Sequence, residues 1–534
     1  MSQGRIPFQF RIGITGHRCL DDPEALVPAI RDALRQLRGL LPDGPGADVV
    51  LVAVSSLAEG ADRLVARELL AEPGSRLEVV LPLARTEYAR DFQDAESRKE
   101  FRHLLGRASQ VRSAPRHLSR NEAYEWAGRQ VVDRCDALIA VWDGEPPRGR
   151  GGTAEIVRYA RDCGVPLTVV STKGGPPGPA EPDRDGERWT TLLTALRDLT
   201  EYNQSALTDQ AFAAQVQVQR GEFGLTPAPA PDDAFGQARE HLAGWMIPFL
   251  VRADLLARRV QFQFRMLSTA MFGMAAAAVA VVVLQISFLP GADGVVFLEV
   301  LLLLGLLGGP WLGNRLRVHH RWTSYRFLAE RLRSAYFLAL AGTGDGARQP
   351  GQSASFSDPL VAWIERALAE IMAGRPKAER APADVGPLRD YLDRFWIASQ
   401  MGYHARAFTH NDLWERRLRH ATAVLFLITL VSAVLHAAGL GPSLHLTADL
   451  VVLSVAVPAI GAAIHGVGTQ REYRRHAARC RRMVAQLAQL QGQMGAAKSL
   501  PEIRHVAANV ERSMREESND WFGVMRFHDI ELIM

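Results

Sequence analysis

The sequence predicts a protein in two parts: a parallel α/β domain, followed by an all-α membrane domain with four transmembrane helices in two hairpins. Three observations lead to this expectation. Short apolar runs alternate with helical patterns through residues 8–172, as in a parallel sheet covered by helices. Four later stretches carry almost no charge and reach roughly the 20 residues that cross a bilayer as a helix. Arginines collect at one end of each stretch.

Composition narrows the class further. The 534 residues exceed what one hydrophobic core usually holds, so several domains are expected. The 62 basic and 58 acidic residues nearly balance, so charge predicts no nucleic-acid partner. The four cysteines have no paired spacing, which predicts neither disulfides nor a metal site and favours a reducing compartment. We recognise no secretory signal at the start of the sequence.

The first domain is expected over residues 1–172 as a Rossmann-like sheet. Its predicted strands are residues 9–15, 49–54, 77–83, 137–142 and 167–171. Helical patterns lie between them, near residues 23–41, 61–70, 121–134 and 153–163. Ligands bind such sheets at the carboxyl ends of the strands, so the loops that follow the strands are where a site is expected.

Three polar, glycine-bearing loops follow these strands. Glycine lets a backbone approach a phosphate closely, and a helix N-terminus favours an anion. We therefore predict a nucleotide or nucleotide-derived ligand, with no certain cofactor and no metal. The predicted binding residues are Gly16, His17, Arg18, Ser55, Glu59, Gly60, Asp62, Gly151, Gly152, Thr153 and Glu155.

Each residue type suggests a role in this site. The helix that opens at Gly152 and Thr153 suits phosphate, and Arg18 and His17 would meet phosphate charge from the other side. Ribose hydroxyls would bond to one of the acids Glu59, Asp62 and Glu155. The loops match neither G-x-G-x-x-G nor a Walker sequence, so ordinary tight turns, a local role for His17 and a helix-start role for Asp62 stay open as alternatives.

The segments TGHR (15–18), SSLAEGAD (55–62) and GRGGTAE (149–155) resemble the SLOG superfamily, which includes the DNA-processing protein and the lonely-guy phosphoribohydrolases. The resemblance covers residues 1–172 and implies binding of a nucleotide-type ligand. The hydrolase branch carries a PGGxGTxxE loop with a catalytic Glu and an Arg. Here the leading Pro is absent and one acid remains, so nucleotide N-glycosidase activity through Glu155 and Arg18 is the alternative.

The second part follows a Pro- and Gly-rich linker at residues 173–234, which has one possible helix. The first predicted hairpin comprises residues 266–288 and 295–312, and the second comprises residues 421–440 and 450–467. The expected domains are a hairpin with its basic helix at 235–342, a helical connection at 343–409, and the second hairpin with C-terminal helices at 410–534.

Charge beside the spans predicts their orientation. The hairpin turns at 289–294 and 441–449 contain no Lys or Arg, whereas arginines lie at the opposite ends of the spans, from Arg315 to Arg321, from Arg416 to Arg419 and from Arg471 to Arg482. Because basic loops stay inside, we expect a multi-pass inner-membrane protein whose two termini are cytoplasmic.

The two membrane halves share the pattern Tyr-Arg-x-x-Ala-x-Arg-x-Arg, which begins at Tyr325 and again at Tyr473. Each copy follows a hairpin, so the sequence predicts a duplicated unit. The paired spans, the AERLR stretch at 329–333 and the C-terminal helical segment resemble the SLATT family over residues 254–534, although that family usually has one hairpin. The resemblance implies a membrane-perturbing or pore-forming effector.

Polar groups inside the spans are costly, which makes Glu299, His436 and His465 candidates to line an aqueous path. The alternatives are an interfacial carboxylate in water for Glu299 and pairing within the helix bundle for the histidines. Four helices are few for an ion path, so we expect a homo-oligomer in the lipid bilayer. The leading hypothesis is a nucleotide sensor that controls a membrane effector in bacterial conflict or defence. A membrane-anchored phosphoribohydrolase and a membrane scaffold for a separate partner are the alternatives.

Overall fold

The computed structural model describes residues 3–42, 48–92, 94–146, 151–180, 186–225, 233–292, 294–343, 359–376, 385–443 and 445–525. The chain forms two compact units. The first, here the α/β unit, comprises Met1–Leu207 and Gly346–Arg375. The second, here the helical unit, comprises Thr208–Asp345 and Pro376–Met534. The α/β unit is therefore discontinuous in sequence, because a segment between the two predicted hairpins belongs to it.

The α/β unit is built on a six-stranded parallel sheet. Its strands are β1 (Phe8–Gly16), β2 (Val49–Ser55), β3 (Arg76–Leu81), β4 (Gln110–Ser113), β5 (Ala137–Trp142) and β6 (Leu167–Ser171). Their order across the sheet is β4-β3-β2-β1-β5-β6. The predicted parallel α/β fold is confirmed, and five of these strands are the predicted ones. The sixth, β4, lies at the edge and has only four residues, too few for a recognisable apolar run.

Helices connect the strands and cover the sheet. In chain order they are α1 (Pro23–Gly39), α2 (Ala61–Leu70), α3 (Arg85–Tyr88), α4 (Ala95–Gly106), α5 (Arg120–Arg134), α6 (Thr153–Asp162) and α7 (Glu187–Gln204). Strand β1 lies within the sheet and is buried on both faces. Phe8, Phe10, Ile12 and Ile14 lie on one face, and the buried Gln9 and Gly13 lie on the other. Burial on both faces is what a parallel sheet between helices requires.

The remaining helices follow α7. They are α8 (Asp209–Glu222), α9 (Ala234–Phe288), α10 (Gly294–Arg315), α11 (Val318–Leu340), α12 (Pro359–Ala373), α13 (Gly386–Leu392), α14 (Ala398–Ala437), α15 (Leu440–Ser443), α16 (Thr447–Gln470), α17 (Tyr473–Ala496) and α18 (Leu500–Met525). A π-helical turn at Asp393–Ile397 joins α13 to α14. Residues 173–234 thus contain two helices, α7 and α8, where the sequence predicts one.

Four helical segments are long and apolar enough to cross a membrane. They are Ala234–Phe288, Gly294–Arg315, Gly386–Ala437 and Thr447–Ala496. Three of them contain a predicted span, and Gly386–Ala437 contains all but the last three residues of the fourth. The predicted all-α region with two hairpins is confirmed. Small residues let the spans approach: a Cβ on Gly305 would lie 2.7 Å from Met274 Sδ, and one on Gly466 would lie 2.3 Å from the Phe272 ring.

The helical unit repeats one order of elements. A long helix (α9 or α14) is followed by a return span (α10 or α16), and then by a helix that packs back against the long one (α11 or α17). Each return span ends in a hinge at a non-glycine residue in the left-handed region. The hinge residues are Arg317 (φ 48°, ψ 36°) and Glu472 (φ 48°, ψ 35°). Such backbone is uncommon for these residue types, so its recurrence supports a duplicated unit.

Candidate functional site

The carboxyl edge of the sheet brings two of the predicted loops together. Strand β1 pairs with β2 on one side and with β5 on the other, so the chain reverses its direction across the sheet at β1. Beyond this switch point, His17 Nε2 lies 2.9 Å from Asp143 Oδ1 and accepts a 3.2 Å hydrogen bond from the Asp143 amide. The crevice outside such a switch point is where open α/β sheets bind ligands.

The first and second loops pack backbone against backbone, which requires two glycines. A Cβ on Gly16 would lie 2.4 Å from Ala61 Cβ. Gly60 has φ +75°, and a Cβ there would lie 2.3 Å from the Arg18 carbonyl oxygen. The Ala61 amide donates a 3.0 Å hydrogen bond to the His17 carbonyl. Side chains at positions 16 and 60 would therefore separate the two loops.

The buried Ser55 and Asp62 side chains form the hydrogen bonds that hold the second loop in its conformation. Ser55 Oγ donates to Asp62 Oδ2 at 3.0 Å and accepts from the Leu57 amide at 2.9 Å. These bonds hold Leu57 at φ 55°, a strained position for a leucine. Asp62 is only 5% exposed, and burial raises its pKa to about 6 although the hydrogen bond from Ser55 opposes the shift. Its carboxylate therefore organises the loop.

Arg63 ties the same loop to helix α4. Its Nε donates to the Leu57 carbonyl at 3.1 Å, and its Nη1 donates to Ser97 Oγ at 2.8 Å. Ser97 Oγ in turn donates to Glu59. The Arg63 guanidinium also lies 4.3 Å from the centre of the Phe92 ring. Glu59 is thus half-buried and oriented through Ser97, and the position of the second loop depends on α4.

Arg18 lies exposed at this edge, beside aromatic residues. Its guanidinium carbon is 5.1 Å from the centre of the Tyr124 ring. The Tyr124 hydroxyl and the Arg120 guanidinium both donate to Asp91. Sequence reasoning missed these aromatic and acidic residues. The available signal was the position of Asp91, which follows the carboxyl end of β3.

The third loop is described from Gly151 onward, so residues 149 and 150 of the GRGGTAE segment lie outside the described residues. Gly151 has φ +72°, and a Cβ there would lie 2.8 Å from the Glu125 amide nitrogen. Gly152 is the N-cap of α6 and Thr153 is its first residue. The Gly151 amide donates a 2.8 Å hydrogen bond to Glu155 Oε2, so this carboxylate caps the loop backbone.

The predicted residues divide into two groups. The described contacts engage Ser55, Asp62, Glu59 and Glu155 within the loops, while Arg18 is exposed and Thr153 is half-buried at a helix start. In the described part of the chain, no cluster of three or more His, Cys, Asp or Glu residues could hold a metal ion. The edge therefore offers a cation, backbone amides and an aromatic wall, which suits an anionic ligand with a flat ring.

In the helical unit, two arginines of the duplicated pattern pair with the same helix, α18. Arg331 and Arg479 occupy the same position in the two copies of the nine-residue pattern. Arg331 Nη1 lies 3.2 Å from Glu511 Oε1, and Arg479 Nη1 lies 3.9 Å from Glu517 Oε1. Both acids belong to α18, which therefore connects α11 of the first half to α17 of the second.

The three predicted polar residues of the spans lie apart. Glu299 in α10 is half-buried, while His436 and His465, in α14 and α16, are exposed on the surface of the single chain. Among the described residues, no hydrogen bond or ion pair joins any two of them. A polar contact that the sequence did not predict links the second pair of spans, where Ser432 Oγ donates to the Leu450 carbonyl at 3.0 Å.

Residues 393–521 match the model of a protein family described as SMODS and SLOG-associating 2TM effector domain 1, SLATT_1. The match begins at the π-helical turn and ends within α18, so it contains the second hairpin and the helices after it. No curated protein matches the chain. The SLATT resemblance is thereby supported for these residues, whereas the SLOG resemblance of residues 1–172 stays a prediction.

The fold and the match together define a class. An α/β domain, four helices able to cross a membrane and a matched two-span effector region fit a membrane effector protein. The matched family is described as having two spans, and this chain adds a first hairpin with the same element order outside the matched residues.

Proposed function

We propose that this protein is a membrane-bound sensor and effector. In this proposal the carboxyl edge of the α/β unit binds a nucleotide-derived ligand, and the helical unit is a homo-oligomeric effector that perturbs the inner membrane in bacterial conflict or defence. Both termini face the cytoplasm, because the arginine-rich ends of the spans lie on that side. The ligand then reaches its site from the cytoplasm.

One observation carries the proposal: three glycine-bearing loops follow strands of the parallel sheet at its carboxyl edge, within the same chain as a region that matches the SLATT_1 family. The exposed Arg18 would pair with ligand phosphate, and the N-terminus of α6 at Gly152 would add amide donors. The Tyr124 ring would contact the flat part of the ligand. Asp62, Glu59 and Glu155 would hold the loops in shape for this binding.

The proposal is tested on the full chain reconstituted in liposomes filled with a self-quenching dye. NAD⁺, ADP-ribose and cyclic dinucleotides are added singly, and binding and dye release are measured side by side. Nucleotide-dependent release is expected for at least one of them. Release should disappear in Gly60→Val, while Gly74→Val, which alters a glycine of similar φ with open space around it, should retain it. Folded wild-type protein that neither binds nor responds to any of them would contradict the proposal.

A further inference from the structure

Helix α12 has an unusual place in the chain. It follows α11 of the first half and precedes α13 of the second, yet it belongs to the α/β unit. Trp363 and Ile364 are at most 1% exposed, and the Trp363 ring lies 5.6 Å from that of Tyr202 in α7. A helix between two membrane hairpins is therefore part of the core of the domain that carries the candidate ligand site.

Two buried acids hold α12 to the sheet. Arg366 makes a bidentate pair with Asp136, with N–O distances of 2.6 and 3.1 Å. Glu370 accepts from Gln9 and lies 2.8 Å from Arg76 Nη1. Asp136 and Glu370 are only 6% and 5% exposed. Charges this deeply buried are costly unless they stay paired, so these contacts resist any partial displacement of α12.

Two of the strands that hold α12, β1 and β5, also lead into the candidate ligand site. Asp136 directly precedes β5 and accepts a 2.9 Å hydrogen bond from the amide of Arg11 on β1. At their other ends, the same two strands lead into His17 and Asp143. A ligand that changes the spacing of β1 and β5 at the carboxyl edge therefore acts on two of the strands that hold α12 at the amino edge.

We infer that α12 is the element through which the carboxyl-edge site acts on the membrane effector. This inference rests on the proposed function and adds the route of its regulation. Because α12 lies between α11 and α13 in the order of the chain, a change in how the sheet holds α12 would act on both membrane halves through the covalent chain. The size of the effect is limited by the difference in ligand affinity between the resting and the activated state of the protein. The coupling is reciprocal, so activation of the membrane halves changes ligand affinity by the same factor.

Arg366→Met tests this inference in the full chain, in dye-filled liposomes with NAD⁺, ADP-ribose and cyclic dinucleotides. The matched control is Arg389→Met, which removes a guanidinium that pairs with the adjacent, 70% exposed Asp390. Arg366→Met is expected to bind nucleotide within about threefold of wild type but to lose roughly tenfold in dye release. The control should bind and respond as wild type does.

Glu370→Gln is a second, milder variant that weakens the hold of the sheet on α12, because it removes the charge that pairs with Arg76 but keeps the size of the side chain. Hydrogen exchange of the sheet amides reports whether each variant is folded. Binding retained with response lost in either variant supports the inference. Full response in both folded variants overturns it and leaves the proposed function standing. Parallel loss of binding and response in both also overturns it, because α12 is then a purely structural helix. A wild type without binding contradicts the proposed function instead.

Discussion

The two edges of the one sheet use polar residues in opposite ways. At the amino edge, Asp136 and Glu370 are buried and fully paired with arginines. At the carboxyl edge, Arg18 is exposed, and glycines 16 and 60 let the first two loops pack backbone against backbone. The first arrangement gives stability, because buried charges need partners. The second leaves the Arg18 guanidinium accessible to a ligand. The difference between the two edges therefore supports a candidate site at the carboxyl edge.

The largest effect is expected at the amino edge. Asp136→Ala removes the partner of the partly buried Arg366 and should lower the local unfolding free energy of the sheet by roughly 3–5 kcal/mol. Hydrogen exchange of the β1 and β5 amides in the full chain measures this change. Asp32→Ala, which breaks an exposed pair with Arg35, should cost less than about 1 kcal/mol. Equal losses would remove the contrast between buried and exposed charge.

A glycine at the carboxyl edge should give the next largest effect. Gly60→Ala meets both an unfavourable φ of +75° and the Arg18 carbonyl, so a cost of roughly 1–3 kcal/mol and loss of nucleotide binding are expected. Gly74→Ala has the same backbone strain at φ +77° but nothing within 4 Å. Thermal unfolding and nucleotide titration of both variants separate strain from contact. Similar behaviour of the two would mean that the loop packing at Gly60 is unimportant.

Asp62 should make the carboxyl edge sensitive to pH. Its pKa of about 6 lies above the ordinary 3.8, so the ionised form destabilises the fold at pH 7 and the penalty disappears as the pH falls below 6. Asp62→Asn lacks this titration. Its stability advantage over wild type should therefore be on the order of 1–2 kcal/mol at pH 7 and vanish near pH 4. An advantage that does not change between pH 7 and pH 4 would argue against a buried, titrating Asp62.

Arg18→Ala should produce the smallest change in stability and a clear change in binding. The side chain is exposed apart from its contact with the Tyr124 ring, so roughly 0.5–1 kcal/mol of stability is at stake. Loss of one charge-assisted contact should weaken nucleotide binding roughly tenfold. Arg35→Ala, which removes another exposed arginine of the same unit, is the control for net charge. Unaltered affinity in Arg18→Ala would place the phosphate contact elsewhere on this edge.

The nine-residue pattern lies at different distances from the hinge residue in the two membrane halves. Tyr325 follows its hinge residue Arg317 by eight residues, whereas Tyr473 follows Glu472 directly. The pattern and the hinge are therefore out of step by seven residues, about two helical turns, which keeps the pattern on the same helix face. Arg331 and Arg479 consequently both reach α18, although their distances from the hinges differ.

The sequence by itself determined the parallel α/β fold, five of the strands and the four spans, because periodicity and apolar length are local properties. It also identified the three glycine loops. Strand β4 escaped prediction because it is short and lies at the sheet edge. Asp62 accepts a hydrogen bond from the Ser55 hydroxyl, and Glu155 accepts one from the Gly151 amide. These partners depend on how the loops fold, so the spacing of residues in the sequence does not predict them.

Only the tertiary structure decided where α12 belongs. Its sequence reads as one helix of a connection between hairpins, yet Arg366 and Glu370 find their partners at Asp136 and Arg76, more than two hundred residues earlier. Pairing over such separation depends on how the sheet places the amino ends of its strands side by side. Local sequence sets which segments become helices and strands, and long-range packing sets which charges can be buried together.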